Sequence, residues 1–352
     1  MEKEVVHIES GSALPAGMGS IPNNVKVELV RYDDIPTPLV SINKQIITPS
    51  LFLFLAPTQT GKTTALKNFL YHLLPRFRFL IIYSKNDRLE SWNRVQPDNE
   101  MRFQHFGDGA FVDSLLRELE NERTKIVETY ERKGITEDNI PYFAKFPMGE
   151  FALILDDQAS GQKFHTSQVL ENIATTGRHL GMSTFVTTQK PTLISNTLRM
   201  NAQYVFMFRP GRSEYEMYRR DFSGPVFDNT VFLELVMRLT TKHTILIFNR
   251  FGNVEGTISS TFLYWLPRLI EPSEWDELRK GIELYQDDFL FDYYQMDKFS
   301  DEQLRIYEEI QEELHPKLEA LIDKERKEED QQQEVEENEE KKAQSYFNYQ
   351  FF

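Results

Sequence analysis

At 352 residues the chain can bury a large core, and one α/β domain with a tail fits that length as well as two domains do. It has no cysteine, which excludes disulfides, zinc–thiolate centres and cysteine nucleophiles. Its net charge of −15 is unevenly placed: residues 271–352 carry 26 acidic and 10 basic side chains, leaving 29 acidic and 30 basic for the rest. The body is therefore neutral and can hold a local basic surface that the whole-chain charge conceals.

Residues 1–25 are polar, with Gly, Ser, Pro and Asn clusters, and are expected to form a flexible arm. The opening MEKEVVHIES has no basic segment followed by an apolar core, so no secretory signal is expected. No apolar run approaches the length of a membrane span, and the protein is read as soluble. Lys26 to Thr48 mixes short apolar runs with Pro36 and Pro38, and is expected to add at most an edge strand. From Ser50 onward, apolar strands alternate with helical patterns, the signature of a mostly parallel sheet flanked by helices. Strands are predicted at Leu51–Ala56, Phe77–Tyr83, Phe151–Leu155, Ser183–Thr188, Gln203–Phe208 and Thr244–Asn249, with Thr257–Leu263 as a hairpin partner. Helices are predicted at Lys62–Leu74, Phe111–Arg132, Thr166–His179, Ser195–Met200, Ser213–Asp221 and Val226–Leu239.

The first strand runs directly into Ala56-Pro57-Thr58-Gln59-Thr60-Gly61-Lys62-Thr63-Thr64. This fits the phosphate-loop pattern [A/G]xxxxGK[ST], with Ala56 in place of the more familiar glycine. Such a loop wraps backbone N–H groups around phosphates while the following helix points its positive end at them. Gly61 permits close backbone approach, Lys62 reaches the β- and γ-phosphate oxygens, and Thr63 offers a hydroxyl to Mg²⁺. The strand before and the helix after supply the context that separates a P-loop from a chance match, and ATP with Mg²⁺ is the expected ligand pair.

Phe151-Ala152-Leu153-Ile154-Leu155-Asp156-Asp157 supplies the second half of the expected site. A carboxylate is needed at the end of the strand beside the P-loop strand to hold the metal through its water shell, and Asp156 fits that place. Asp157 is the candidate base for the attacking water; the plainer alternative is a helix cap or a solvent-facing acid. Gln189, at the end of the strand Ser183–Thr188, is placed to sense the γ-phosphate, unless it is an ordinary loop glutamine. Among the arginines, Arg178, Arg212 and Arg199 rank in that order as donors of charge to a neighbouring subunit's nucleotide.

From Pro272 the character turns to acidic helix, and Leu304, Tyr307, Ile310 and Leu314 recur at helical spacing, so part of it is expected to pack on another surface. The expected division is a flexible arm at 1–25, a P-loop domain at 26–270, an acidic helical extension at 271–326, and a disordered acidic tail at 327–352. The chain closes on SYFNYQFF, which reads either as a docking peptide or as a segment folding back on its own core.

Three blocks stand out: APTQTGKTT at Ala56–Thr64, ALILDD at Ala152–Asp157, and GRHLGMSTFVTTQKPTLISNTLRMNAQYVFMF at Gly177–Phe208. Together they resemble the FtsK/HerA superfamily of P-loop DNA motors, and within it the poxvirus-type genome-packaging ATPases. The resemblance spans about residues 50–250 and implies a RecA-like, FtsK/HerA-like fold. It also implies that Lys62 and Thr63 bind phosphate and Mg²⁺, that Asp156 and Asp157 form the Walker B pair, and that Gln189 is sensor-like. The implied activity is ATP-driven translocation of double-stranded DNA into a preformed capsid by a homo-oligomeric ring. Capsid or portal-vertex proteins are then partners, and the virion or the host-cell assembly site is the expected location. Lys85, Arg88 and Arg94 are candidates for a pore loop. A P-loop kinase and a nucleotide-gated assembly protein that pumps no DNA are the competing functions.

Overall fold

The computed structural model describes residues 3–8, 25–32, 38–39, 44–57, 60–84, 92, 95, 100–103, 109–158, 167–223, 229–241, 243–252, 261–314, 316–317, 319–324 and 327. Its centre is the apolar run of β3 (Leu51–Leu55), buried along its whole length. A strand turns alternate side chains to opposite faces. Leu51, Leu53 and Leu55 accordingly join one core cluster, and Phe52 and Phe54 join the other. Phe52 stacks between Phe185 at 4.5 Å and Tyr204 at 5.2 Å, while Phe54 stacks on Phe206 at 4.1 Å.

Around β3 the described strands form one ten-stranded sheet in the order β1-β2-β10-β9-β8-β3-β7-β6-β4-β5. The strands are β1 (Lys3–Ile8), β2 (Val25–Arg31), β4 (Phe79–Ser84), β5 (Glu100–Phe103), β6 (Phe151–Asp156), β7 (Met182–Thr188), β8 (Tyr204–Met207), β9 (Ile245–Asn249) and β10 (Phe262–Trp265). From β8 to β5 all pairings are parallel. β9 is antiparallel to both β8 and β10; a partner antiparallel to β9 was expected at Thr257–Leu263 and lies at Phe262–Trp265, while residues 253–260 lie outside the described residues.

Helices cover both faces, as a mostly parallel sheet requires. On the phenylalanine face lie α1 (Lys62–Leu73) and α7 (Pro272–Tyr293), with Phe69 of α1 reaching Phe206 at 4.6 Å and Trp265 at 5.8 Å. On the leucine face lie α2 (Ala110–Arg132), α3 (Gln168–Thr176), α4 (Asn196–Asn201), α5 (Arg212–Phe222), α6 (Asn229–Leu239) and a further helix, α8, over residues 301–314.

Several expectations change. The sequence led us to place the Asp156 strand directly beside the P-loop strand; instead β7 lies between β3 and β6. A right-handed crossover can carry the chain past its neighbouring position, so order along the chain does not fix order in the sheet. The arm expected to be flexible contains β1, whose residues Lys3–Ile8 pair antiparallel with β2. Val5, Val6 and Ile8 are β-branched, which suits an extended chain. β5 was missed altogether. The acidic extension is not set apart from the core: Trp275, Leu278, Ile282 and Phe289 bury one stripe of α7, and Ile306 and Leu314 bury one stripe of α8. Gln286, inside the α7 stripe, donates to the carbonyls of Pro75 and Phe77 at 3.2 and 2.9 Å. Tyr130 of α2 donates to Gln303 O at 3.1 Å, tying α8 to the body. Residues 328–352, with the aromatic terminus, lie outside the described residues.

At the amino edge of the sheet, Glu150 is 1% exposed and its Oε2 has no hydrogen-bond partner among the described residues. Burial pushes its carboxyl up to about 7, against the opposing pull of the Thr48 hydroxyl, the Arg76 guanidinium and the Tyr294 hydroxyl. Because the folded value lies above the ordinary 4.5, the cost is absent below pH 4.5, grows as pH rises to 7, and is constant above that. Glu150→Gln should therefore be more stable than wild type at pH 8, by up to about 3 kcal/mol, and should lose that advantage near pH 4.5. Chemical unfolding at the two pH values checks this; an advantage that does not change with pH would contradict it.

Candidate nucleotide site

Three parallel strands deliver the site at their carboxyl ends. β3 ends in the loop, whose first residue, Ala56, is fixed by its N–H donating to Thr188 O of β7 at 3.1 Å. Thr60 Oγ1 donates to Pro57 O at 2.7 Å, closing the turn. Gly61 stands at φ 84°, a left-handed conformation that a side chain disfavours, and caps α1. Thr58 and Gln59 lie outside the described residues. Lys62 opens α1 and is 7% exposed; Thr63 is half-buried and Thr64 exposed.

Sequence reasoning named Lys62, Thr63, Asp156, Asp157 and Gln189, and the fold brings all five together. Thr63 Oγ1 donates to Asp156 Oδ1 and Oδ2 at 3.2 and 3.3 Å. Lys62 Nζ and Gln189 Nε2 converge on the same atom, Asp157 Oδ2, at 3.2 and 2.9 Å. Asp157 adopts φ 54°, one of three left-handed non-glycine residues among those described, and aspartate is one of the few side chains that tolerates it. Asp156 is 5% exposed, and burial raises its carboxyl above the ordinary range. The Thr187 hydrogen bond pulls it down, Asp157 pushes it up, and Thr63 and Lys62 pull it down.

Two contributors were missed. Ser84 sits opposite Asp156 in the β4–β6 register, and its hydroxyl donates to Asp156 Oδ2 at 3.4 Å. Thr187 donates to Asp156 Oδ1 at 2.6 Å and accepts from the Asp157 N–H at 2.9 Å. Its signal in the sequence is the i, i+2 spacing to Gln189, which in an extended chain turns both side chains to the same side, Thr187 within β7 and Gln189 just past its end.

Strand order, loop and paired acids together decide the fold. It is a P-loop NTPase fold.

Arg178 and Arg199 lie elsewhere. Arg178 is exposed and precedes β7, so it stands at the amino edge of the sheet, away from Asp156 and Asp157. It shares that edge with Tyr142 and His179, and it contributes with burial and Arg123 to lowering the His179 imidazole. Arg199 is 8% exposed and paired within its own chain: Nε donates to Asp221 Oδ2 at 2.8 Å and a guanidinium N–H donates to Ile194 O. That pairing ties α4 to α5 and makes Arg199 a poor donor to another subunit. The side chain of Arg212 and the loop residues Lys85, Arg88 and Arg94 lie outside the described residues.

No family model matches the sequence. The chain is similar to an uncharacterised protein of Acanthamoeba polyphaga mimivirus, 23% identical over 237 residues, covering 64% of this chain and 73% of that one. Among solved structures it is similar to the genome-packaging NTPase of Sulfolobus turreted icosahedral virus 2, at 14% identity and a TM-score of 0.43, over 63% of this chain and all of that one. It is also similar to the conjugation coupling protein TcpA of pCW3, at 12% identity and a TM-score of 0.42, over 78% of this chain and 70% of that one. No helix among the described residues is long and apolar enough to cross a membrane.

Proposed function

We propose that the chain is a Mg²⁺-dependent ATPase that moves double-stranded DNA, packaging a viral genome into a preformed capsid. The observation that carries the ATPase reading is the meeting of Lys62 Nζ and Gln189 Nε2 on Asp157, beside the Thr63–Asp156 pair. A cation, an acid and an amide held at one point, at the mouth of a phosphate loop, are the parts that hydrolysis of a terminal phosphate requires. The Asp156 carboxylate and the Thr63 hydroxyl are hard oxygen donors of the kind Mg²⁺ takes, and these two residues would hold it. A bound Mg²⁺ would neutralise developing charge on the phosphate oxygens.

In this reading the backbone from Ala56 to Thr64 cradles the phosphates. Lys62 exchanges its Asp157 partner for the β- and γ-phosphate oxygens. Asp157, released from that pair and still held by Gln189, orients the attacking water and takes its proton. Gln189 then registers whether the terminal phosphate is present. Arg178, far from its own chain's site, serves catalysis only by reaching a neighbouring subunit's nucleotide, which calls for a ring.

The DNA-packaging part rests on the three motif blocks that resemble poxvirus-type motors. Capsid or portal-vertex proteins as partners of the aromatic terminus, and the virion or assembly site as location, belong to the same reading. ATP hydrolysis measured with and without double-stranded DNA tests it. Turnover should rise several-fold with DNA, and the stimulation should fall steeply as salt is raised, because sequence-independent phosphate contacts release counterions. Turnover indifferent to DNA at every salt concentration would favour a kinase or an assembly switch.

A further inference from the structure

We propose that Thr187 is a positioning residue for both acids of the site, and that it couples them to the strand carrying Gln189. The proposal rests on the ATPase reading and goes beyond it. Thr187 is fully buried, and its single hydroxyl makes two directed contacts. Its proton goes to Asp156 Oδ1 at 2.6 Å, shorter than the contacts that Thr63 and Ser84 make to the same carboxylate. With the proton committed there, an oxygen lone pair is left facing the Asp157 N–H, which donates at 2.9 Å.

The two bonds do different things. The first fixes the rotation of the Asp156 carboxylate, which keeps both of its oxygens within reach of the Thr63 hydroxyl, at 3.2 and 3.3 Å. The second anchors the Asp157 amide, and with it the left-handed turn at φ 54° that swings the Asp157 side chain towards Lys62. Thr187 lies in β7 and Gln189 is the first residue past its end, so a shift of that strand moves the anchor of both acids and the amide on Asp157 together. This is the consequence of placing β7 between β3 and β6.

The test compares Thr187→Val, Thr187→Ala and Thr187→Ser with wild type. Thr187→Val keeps the shape and removes both hydrogen bonds; Thr187→Ala removes the same hydroxyl from a smaller side chain, and the two should agree. Turnover number should fall roughly 10–100-fold in both, with KM for ATP within about threefold, as for residues that orient metal ligands. Binding of Mn²⁺ with a non-hydrolysable ATP analogue, followed by electron paramagnetic resonance, should weaken about 10-fold. Thr187→Ser should restore both quantities to within about threefold, since it keeps the hydroxyl. Wild-type values in Thr187→Val, or a serine variant as impaired as the valine one, would overturn the assignment. A wild-type chain that neither hydrolyses ATP nor takes up Mn²⁺ with the analogue would sink the ATPase reading itself, and Thr187's role with it.

Discussion

Lys62→Ala should remove ATP turnover to background and weaken nucleotide binding by at least about 100-fold, the scale on which single preorganised charge-stabilising donors act. The lysine is nearly buried and its ammonium has a directed partner, so it is held ready rather than sampling solvent. Phosphate oxygens arriving at the loop meet a cation already desolvated, and charge-assisted hydrogen bonds of that kind are the strong ones. Removing it also leaves Asp157 facing the polyphosphate without its lysine partner, so a second, repulsive effect adds to the first. The two effects separate in a double mutant: adding Asp157→Asn to Lys62→Ala should recover part of the lost binding, because the two residues pair with each other and are not independent. Titration of a fluorescent ATP analogue measures both. Binding unchanged in Lys62→Ala would mean that the loop does not hold the phosphates.

Much of this was legible in the chain. The alternation Leu51-Phe52-Leu53-Phe54-Leu55 announces a strand buried on both faces, and a run of that kind feeding GKTT has few other uses. The apolar run ending in Asp156-Asp157 and the later run ending at Gln189 gave the other two walls of the site. What could not be read was the lateral order of the strands. That order depends on where each crossover sets its strand down, and nothing local records it. The misplacement of β6 followed, and with it Thr187 was overlooked, since a threonine inside an apolar run is ordinary strand composition. The acidic extension was half read. Packing was expected from the spacing of Leu304, Tyr307, Ile310 and Leu314, which do pack on the core, but the same spacing at the buried Trp275, Leu278, Ile282 and Phe289 was passed over. Charge describes the outer face of such a helix, and periodicity describes the inner one.

Asp157→Asn should lower the turnover number by about 10²–10⁴-fold while leaving ATP binding intact or tighter, the range expected when a positioned proton acceptor is lost. Asparagine is the substitution that isolates charge here. It tolerates the left-handed backbone at φ 54° almost as well as aspartate, and its amide oxygen can still accept from Gln189 Nε2. The anchor from the Asp157 N–H to Thr187 is a backbone contact and survives the change. What is lost is the negative charge that pairs with Lys62 and that would take a proton from water. Freed of that competitor, Lys62 is available to phosphate at all times, hence the equal or tighter binding. Asp157→Ala is the poorer experiment, because alanine resists the left-handed turn and would confuse backbone strain with lost chemistry. Single-turnover hydrolysis beside equilibrium binding distinguishes the possibilities. Undiminished turnover in Asp157→Asn would reduce Asp157 to a turn residue and leave the water to be activated by another group. Lost binding would instead mean that the Lys62–Asp157 pair shapes the loop rather than standing in for the phosphate.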